Sequence, residues 1–465
     1  MCKKITLKLI YSVFLFLFII NKTPLFALSL CDLIDLTLQN NMDIITSQSE
    51  YENALLSAKT IDGIFSPGLS ISSSSSISND YEWNTTPDYF LSNITYSQPI
   101  PGGTQLSVTG SYTFNSLMYN EERYLSQSPK ISFTLTQSLL PFWGQGKVSD
   151  PTILSMKQQE EYYRYQNIYT KKTVFQNLIQ NYAYYLIYEN EIQIYENSIA
   201  LVDEQITAVK ELITSGNTNQ AKITDLENTK WNYEENLMSV KTNFYSCMQN
   251  IKVICGINIE DSLTFGQTDE NLTNIINISL EHISDPMDLI YKLKLQMLET
   301  KNVLQKQNSA PTLNLTIQSS WTLENVKNND WQDAWKNGDN PSWTATVSMD
   351  FSPLLRSTMS KDKKHYEIDY QQAEKSYENY LAQKKFIKEQ YEILYRNYSY
   401  QLESIEKLFE KGKIELRDYE KLYNAGAISK LDFDSVKTKV ENFELSRNCV
   451  KIYKWLYGVL LEMNY

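Results

Sequence analysis

The sequence predicts an α+β membrane protein: a transmembrane β-barrel continuous with a long α-helical coiled-coil barrel, built from two internal repeats. Three observations predict it. Short stretches alternate apolar with uncharged polar residues, two helical stretches are too long for a globule, and the order helix–strands–long helix–glycine turn–helix occurs twice. Only 14 of the 465 residues are glycine, which suits long unbroken helices, because an interior glycine costs roughly 1 kcal/mol relative to alanine. Hydrophobic residues at 42% and charged residues at 21% supply a core and exclude wholesale disorder. A net charge of −12 excludes a general nucleic-acid binder, which carries a basic footprint.

Residues 1–27 read as a secretory signal peptide. Lys3, Lys4 and Lys8 precede the apolar run Leu9–Ile20, and Asn21–Ala27 leads to cleavage after Ala27. The run is short for an anchoring helix, which needs about 20 apolar residues. Bulky Leu30 beside Cys31 speaks against lipid attachment at that cysteine. No later segment has the composition of a transmembrane helix, so entry into a membrane falls to strands.

The first repeat occupies residues 28–256, a linker 257–284, and the second repeat 285–465. The strands of the first repeat are Leu69–Ile77, Phe90–Gln98, Leu106–Phe114 and Ile131–Thr136; those of the second are Leu313–Trp321 and Trp343–Phe351. In Leu106–Phe114, for example, Leu106, Val108, Tyr112 and Phe114 alternate with Ser107, Thr109, Ser111 and Thr113. A soluble sandwich commonly carries Lys and Glu on its wet face. Here that face is almost free of charge and aromatics gather at strand ends, which points to a membrane barrel with a polar lumen.

Two long helices are expected at about Pro151–Ser215 and about Met359–Ala425, each rising roughly 95–100 Å. Ile192, Tyr195, Ile199, Val202, Ile206, Val209 and Ile213 recur at spacings of three and four, a coiled-coil seam. Shorter helices are expected at about Ser29–Asp62, Asn219–Cys255, Asp285–Asn308 and Ser429–Met463. In each repeat the two short helices together about match the long one, so they can stack end to end beside it. A cytosolic coiled-coil rod would leave the leader and the strands without a purpose.

No catalytic constellation stands out: no phosphate-cradling glycines, no HExxH, no Ser/His/Asp set, and no cofactor is implied. Cys2, Cys31, Cys247, Cys255 and Cys449 form no CxxC pair and no disulfide scaffold. His282 and His365 sit beside no nucleophile or metal-ligand set.

The stretch from Leu28 to Asn41, leucine-rich and ending in paired asparagines, resembles the first helix of TolC-family outer-membrane efflux and type I secretion channels. Gln98-Pro-Ile-Pro-Gly-Gly103 and Gln137-Ser-Leu-Leu-Pro-Phe-Trp-Gly144 look like that family's strand-to-helix exits, and Gly426-Ala-Ile-Ser-Lys-Leu-Asp-Phe433 like its second hairpin tip. The resemblance runs in order, twice, over nearly the whole mature chain. It implies a homotrimer in the cell outer membrane, extending into the periplasm as a tunnel tapered shut at its far end. An adaptor protein and an inner-membrane pump would be its partners, with outer-membrane lipid around the barrel. It also implies four strands per protomer where six are counted. The surplus hairpin, Phe90–Phe114, could widen the barrel to eighteen strands or fold outside the wall.

The resemblance further assigns Asp432 to a narrowing ring after the tip glycine, with Ser435 at the family's second acidic position. Asp434 is about 200° around the helix from Asp432 and should not share its ring. After Gly216 the equivalent positions hold Lys222 and Asp225. Asp432 and Asp225 are thus candidate gate residues, or else solvated surface charges, and Gly216 and Gly426 candidate adaptor-docking tips. An exit duct is the leading function. A non-conducting, periplasm-spanning structural coiled coil is the alternative, and a secreted enzyme or adhesin using the loop Glu324–Pro341 with Trp331 and Trp335 is a third.

Overall fold

The computed structural model describes residues 29–64, 66–77, 88–100, 104–119, 122–139, 151–214, 220–257, 285–308, 312–322, 341–350 and 359–463. The expected leader, nearly all of the linker, Gly216, the turn Pro101–Gly103, and Trp331 and Trp335 lie outside them. The described elements are α1 (Leu30–Asn40), α2 (Met42–Ile64), β1 (Gly68–Ile77), β2 (Asp88–Ile100), β3 (Thr104–Tyr119), β4 (Glu122–Ser138), α3 (Pro151–Thr214), α4 (Ala221–Cys255), α5 (Pro286–Asn308), β5 (Thr312–Thr322), β6 (Ser342–Asp350), α6 (Met359–Asn424) and α7 (Lys430–Met463). Two compact units each draw on both repeats. The first comprises Met1–Glu50, Arg164–Ile290 and Ser376–Tyr465, the second Tyr51–Tyr163 and Tyr291–Lys375.

In the first unit, α1 starts on a capping box. The Ser29 amide donates to the Asp32 carboxylate at 2.8 Å, and the Asp32 amide donates back to Ser29 Oγ at 3.2 Å. Its apolar side, Leu30, Leu33 and Ile34, is buried against Phe175, Leu178, Ile179 and Tyr182 of α3, Ile251 and Cys255 of α4, and Leu456, Val459 and Leu460 of α7. The single helix expected over Ser29–Asp62 is broken at Asn41, whose ψ of 122° is extended. The Asn41 side chain causes the break. Its Nδ2 donates to the Ile254 carbonyl at 2.8 Å, while its Oδ1 accepts from the amides of Asp43 and Ile44 at 3.0 and 3.2 Å. One residue therefore ends α1, starts α2 and ties both to the end of α4.

The long helices match the expected bounds closely, at 64 residues for α3 and 66 for α6. Along the predicted seam Val202, Ile206 and Val209 are buried and Ile192, Tyr195, Ile199 and Ile213 half-buried. Toward the hairpin ends of this unit the helices form a row. The α4 helix lies on α3 through Phe244 on Tyr185, with centroids 4.5 Å apart, and through Lys241 bound to Glu196 at 2.9 Å. Next, α7 lies on α3 through Asn442 Nδ2 donating to Ser198 Oγ at 3.2 Å, and α6 lies on α7 through Tyr398 stacked on Tyr453 at 4.6 Å. Neighbours run antiparallel, and the order is α4–α3–α7–α6. At the start of α5, Asp285 accepts from the Asp288 amide at 3.1 Å, from the Tyr380 hydroxyl at 2.6 Å and from the Lys384 ammonium.

The second unit carries one antiparallel sheet in the order β1-β2-β3-β4-β5-β6. The surplus hairpin β2–β3 is paired on both sides, to β1 and to β4, so it lies within the sheet rather than outside it. Register keeps the two faces distinct across all six strands. One rung reads Ser70, Thr95, Thr109, Ser132, Ser320 and Ser342, and the Thr95 and Thr109 hydroxyls sit 3.1 Å apart. A rung of the other face reads Leu69, Tyr96, Val108, Phe133, Ser319 and Trp343. On that face Leu69, Ile71, Ile94, Tyr96, Phe133 and Trp321 are exposed, with Trp321 edge-on to Phe133 at 5.7 Å. Among the described residues, β1 and β6 are each paired on one side only.

Candidate channel mouth

The antiparallel row brings the end of α3, the start of α4, the end of α6 and the start of α7 to the same end of the first unit. Both hairpin tips therefore face the same way. The first tip is described only from Gln220, which starts α4 without a side-chain cap; Gly216 lies outside the described residues. Buried Ile223 seats that start, leaving Lys222 and Asp225 exposed on the first turn and a half.

The second tip is described fully. Helix α6 ends in a Schellman motif: the Gly426 amide donates to the Tyr423 carbonyl at 2.9 Å and the Ala427 amide to the Leu422 carbonyl at 2.8 Å. Gly426 has φ +72°, the left-handed region where side chains with a Cβ are strained. A Cβ there would meet nothing within 4 Å, so the backbone at this tip is open to approach. Across the turn Tyr423 stacks on Phe433 at 5.1 Å and fixes the angle between α6 and α7.

Asp432 lies on the first turn of α7 and is exposed, but its carboxylate has a structural task. It accepts from Ser429 Oγ at 2.6 Å and from the Ser429 amide at 3.3 Å, while its own amide donates to Ser429 Oγ at 3.2 Å. This is a second capping box, the counterpart of the one that starts α1. Its spacing, Ser-x-x-Asp, was present in the sequence as a helix-start signal. Asp434 is half-buried and 3.8 Å from the Lys430 ammonium, so the two acids occupy different sides of the helix, as the 200° offset requires. Ser435 is half-buried. The tip thus presents one exposed, helix-anchored carboxylate beside an open glycine turn, and Asp225 presents a second at the neighbouring tip.

None of the described residues form a cluster of three or more metal-ligating side chains. Cys31, Cys247, Cys255 and Cys449 are in no disulfide, and burial pushes the Cys449 thiol up to about 12, away from thiolate reactivity. No helix among them is long and apolar enough to cross a membrane.

No protein-family model and no curated protein sequence matches the chain. Solved structures do. The outer-membrane channel CmeC of Campylobacter jejuni is 13% identical with a TM-score of 0.55, over 94% of this chain and 85% of that one. The outer membrane protein VceC of Vibrio cholerae is 10% identical with a TM-score of 0.57, over 93% and 94%. The outer-membrane channel MtrE of Neisseria gonorrhoeae, solved in its open state, is 11% identical with a TM-score of 0.57, over 94% and 88%. The chain has the fold of TolC-family outer-membrane channels.

Proposed function

We propose that the chain is the outer-membrane exit duct of a tripartite efflux pump or type I secretion system. Three copies close one barrel from their sheets and one tunnel from their helix rows. Small molecules or proteins then pass across periplasm and outer membrane, while an inner-membrane pump, reached through a periplasmic adaptor, supplies the energy. The chain itself performs no chemistry.

The observation that carries this reading is the sheet. Over six strands one face is apolar and exposed and the other is lined by hydroxyls and amides. Such an apolar face is a liability in water and the expected outer surface in lipid. Strand edges left open at β1 and β6 are not tolerated in a bilayer, because unpaired backbone groups there cost several kcal/mol each. Neighbouring copies remove both edges at once.

Membrane fractionation with planar-bilayer recording tests the proposal. The expected result is a heat-resistant trimer in the outer membrane that forms discrete conductance steps. A trimer that never conducts would favour the structural coiled coil, and a soluble periplasmic monomer would overturn the duct altogether.

A further inference from the structure

Two helices of the first unit, α4 and α6, end the row, and each carries a stripe of exposed apolar side chains. On α4 these residues are Trp231, Met238 and Tyr245, exposed by 62%, 67% and 58%. On α6 they are Ile393, Tyr400 and Ile414, exposed by 66%, 71% and 60%, with the stem of exposed Lys407 completing the spacing. Both stripes repeat every seven residues, the period of a helix seam that faces another helix.

The two stripes also share their heights along the row, as contacts within the chain show. Phe244 touches Tyr185 on α3; adjacent Tyr184 meets Tyr453 on α7 at 6.3 Å; Tyr453 stacks on Tyr398 of α6. Tyr245 and Tyr400 are therefore nearly level. Further toward the tips Tyr233 meets Tyr195 at 6.3 Å, Asn197 contacts Asn442 at 3.4 Å, and Gly412 packs against Val440 and Phe443. That rung brings Trp231 level with Ile414, and Met238 and Lys407 lie midway between the two levels. Because α4 and α6 run antiparallel, the seven-residue steps stay matched over the whole stripe.

We propose that the α4 stripe of one copy packs against the α6 stripe of the next, in the register Tyr245 to Tyr400, Met238 to Lys407 and Trp231 to Ile414. This rests on the ring reading given above. Rotation about an axis parallel to the helices preserves both height and direction, so levels shared within one chain become levels shared between neighbours. The contact is heterologous, with different faces meeting, as a closed ring requires.

The test is thiol cross-linking in outer membranes of cells producing the full chain. Tyr245→Cys combined with Tyr400→Cys, and Trp231→Cys with Ile414→Cys, are expected to give covalent trimers with a short bifunctional maleimide. The four single variants and the out-of-step pair Tyr245→Cys with Ile414→Cys are expected to give none. As a second readout, Tyr245→Glu should lower the temperature at which the trimer dissociates, and adding Tyr400→Lys, but not Ile414→Lys, should restore it. A trimer that assembles with no matched cross-link and no specific restoration would overturn the stripe pairing and leave the ring standing. A chain that never trimerises would overturn both.

Discussion

Two left-handed glycines end helices in the first unit, and their surroundings set opposite expectations for the same substitution. Gly256 is packed so closely that a Cβ would lie 2.6 Å from the Asn40 carbonyl oxygen, whereas at Gly426 it would meet open space. Gly426→Ala should therefore cost only the left-handed strain, about 1–2 kcal/mol, and leave trimer yield intact. Gly256→Ala should add a clash with the break between α1 and α2, and reduce folded protein. Thermal melts of the two purified variants check this. A bulkier residue, as in Gly426→Val, should lower export at unchanged trimer level, since the open turn is where an adaptor can approach. Asp432 is the candidate gate residue whose capping role the resemblance alone did not reveal. Its exposure leaves it free to act electrostatically as well, and three copies around one narrow mouth would favour cations. Asp432→Asn should shift the reversal potential under a salt gradient toward non-selectivity, with a stability cost of about 1 kcal/mol from the weakened cap. Asp434→Asn, turned away beside Lys430, should shift it much less. Equal potentials for wild type and Asp432→Asn would remove Asp432 from the gate.

At the scale of elements, the start of α5 is held by charge rather than by a seam. Burial alone would push the Asp285 carboxyl up, but bonds from Lys384, Tyr380 and the Asp288 amide outweigh it and hold the group below its ordinary range. A depressed carboxylate pKa adds stability that is present above the unfolded value near 3.8 and is lost as pH falls through the lower folded value. Asp285→Asn should thus lower the melting temperature at pH 7, by an energy of about 1 kcal/mol, because the Lys384 side chain is 40% exposed and solvent screens the pair. The difference from wild type should shrink below pH 4. A pH-independent difference would mean that packing, not charge, holds this helix start. None of this was legible beforehand, because Tyr380 and Lys384 lie 95 and 99 residues from Asp285. The break at Asn41 was hidden for the same reason: it depends on Ile254, 213 residues away. Local patterns were legible wherever the sequence itself carries the period. The long helices ended within a residue or so of their expected bounds, α6 at the left-handed turn of Gly426, and the strands emerged from alternation. The cap at Ser429 is equally local, since the spacing Ser-x-x-Asp is itself a helix-start signal. The second hairpin tip was legible in position, through Gly426 and Asp432, but not in the bonding of the carboxylate.

For the whole molecule the decisive quantity is the number of strands in the wall. The resemblance implies four per chain, yet six are paired in sequence here, with β2 and β3 bonded on both sides. Inserting a hairpin between β1 and β4 preserves antiparallel alternation, so the added pair lengthens the wall without disturbing either edge. If three copies close one barrel as proposed, strands about 4.8 Å apart and tilted by about 40° would give an eighteen-stranded ring roughly 35 Å across, against roughly 24 Å for twelve strands. A section through the trimer by electron microscopy in detergent is expected to show eighteen strands. Deleting residues 88–119 should let β1 approach β4 directly and return a twelve-stranded wall of about two-thirds the diameter. If the mouth proposed at the helix tips limits flow, bilayer conductance should change little on that deletion. A wild-type section with twelve strands, the hairpin standing clear of the ring, would overturn the wide barrel. A large drop in conductance on deletion would instead place the constriction in the barrel and remove the mouth at Asp432 from control of flow.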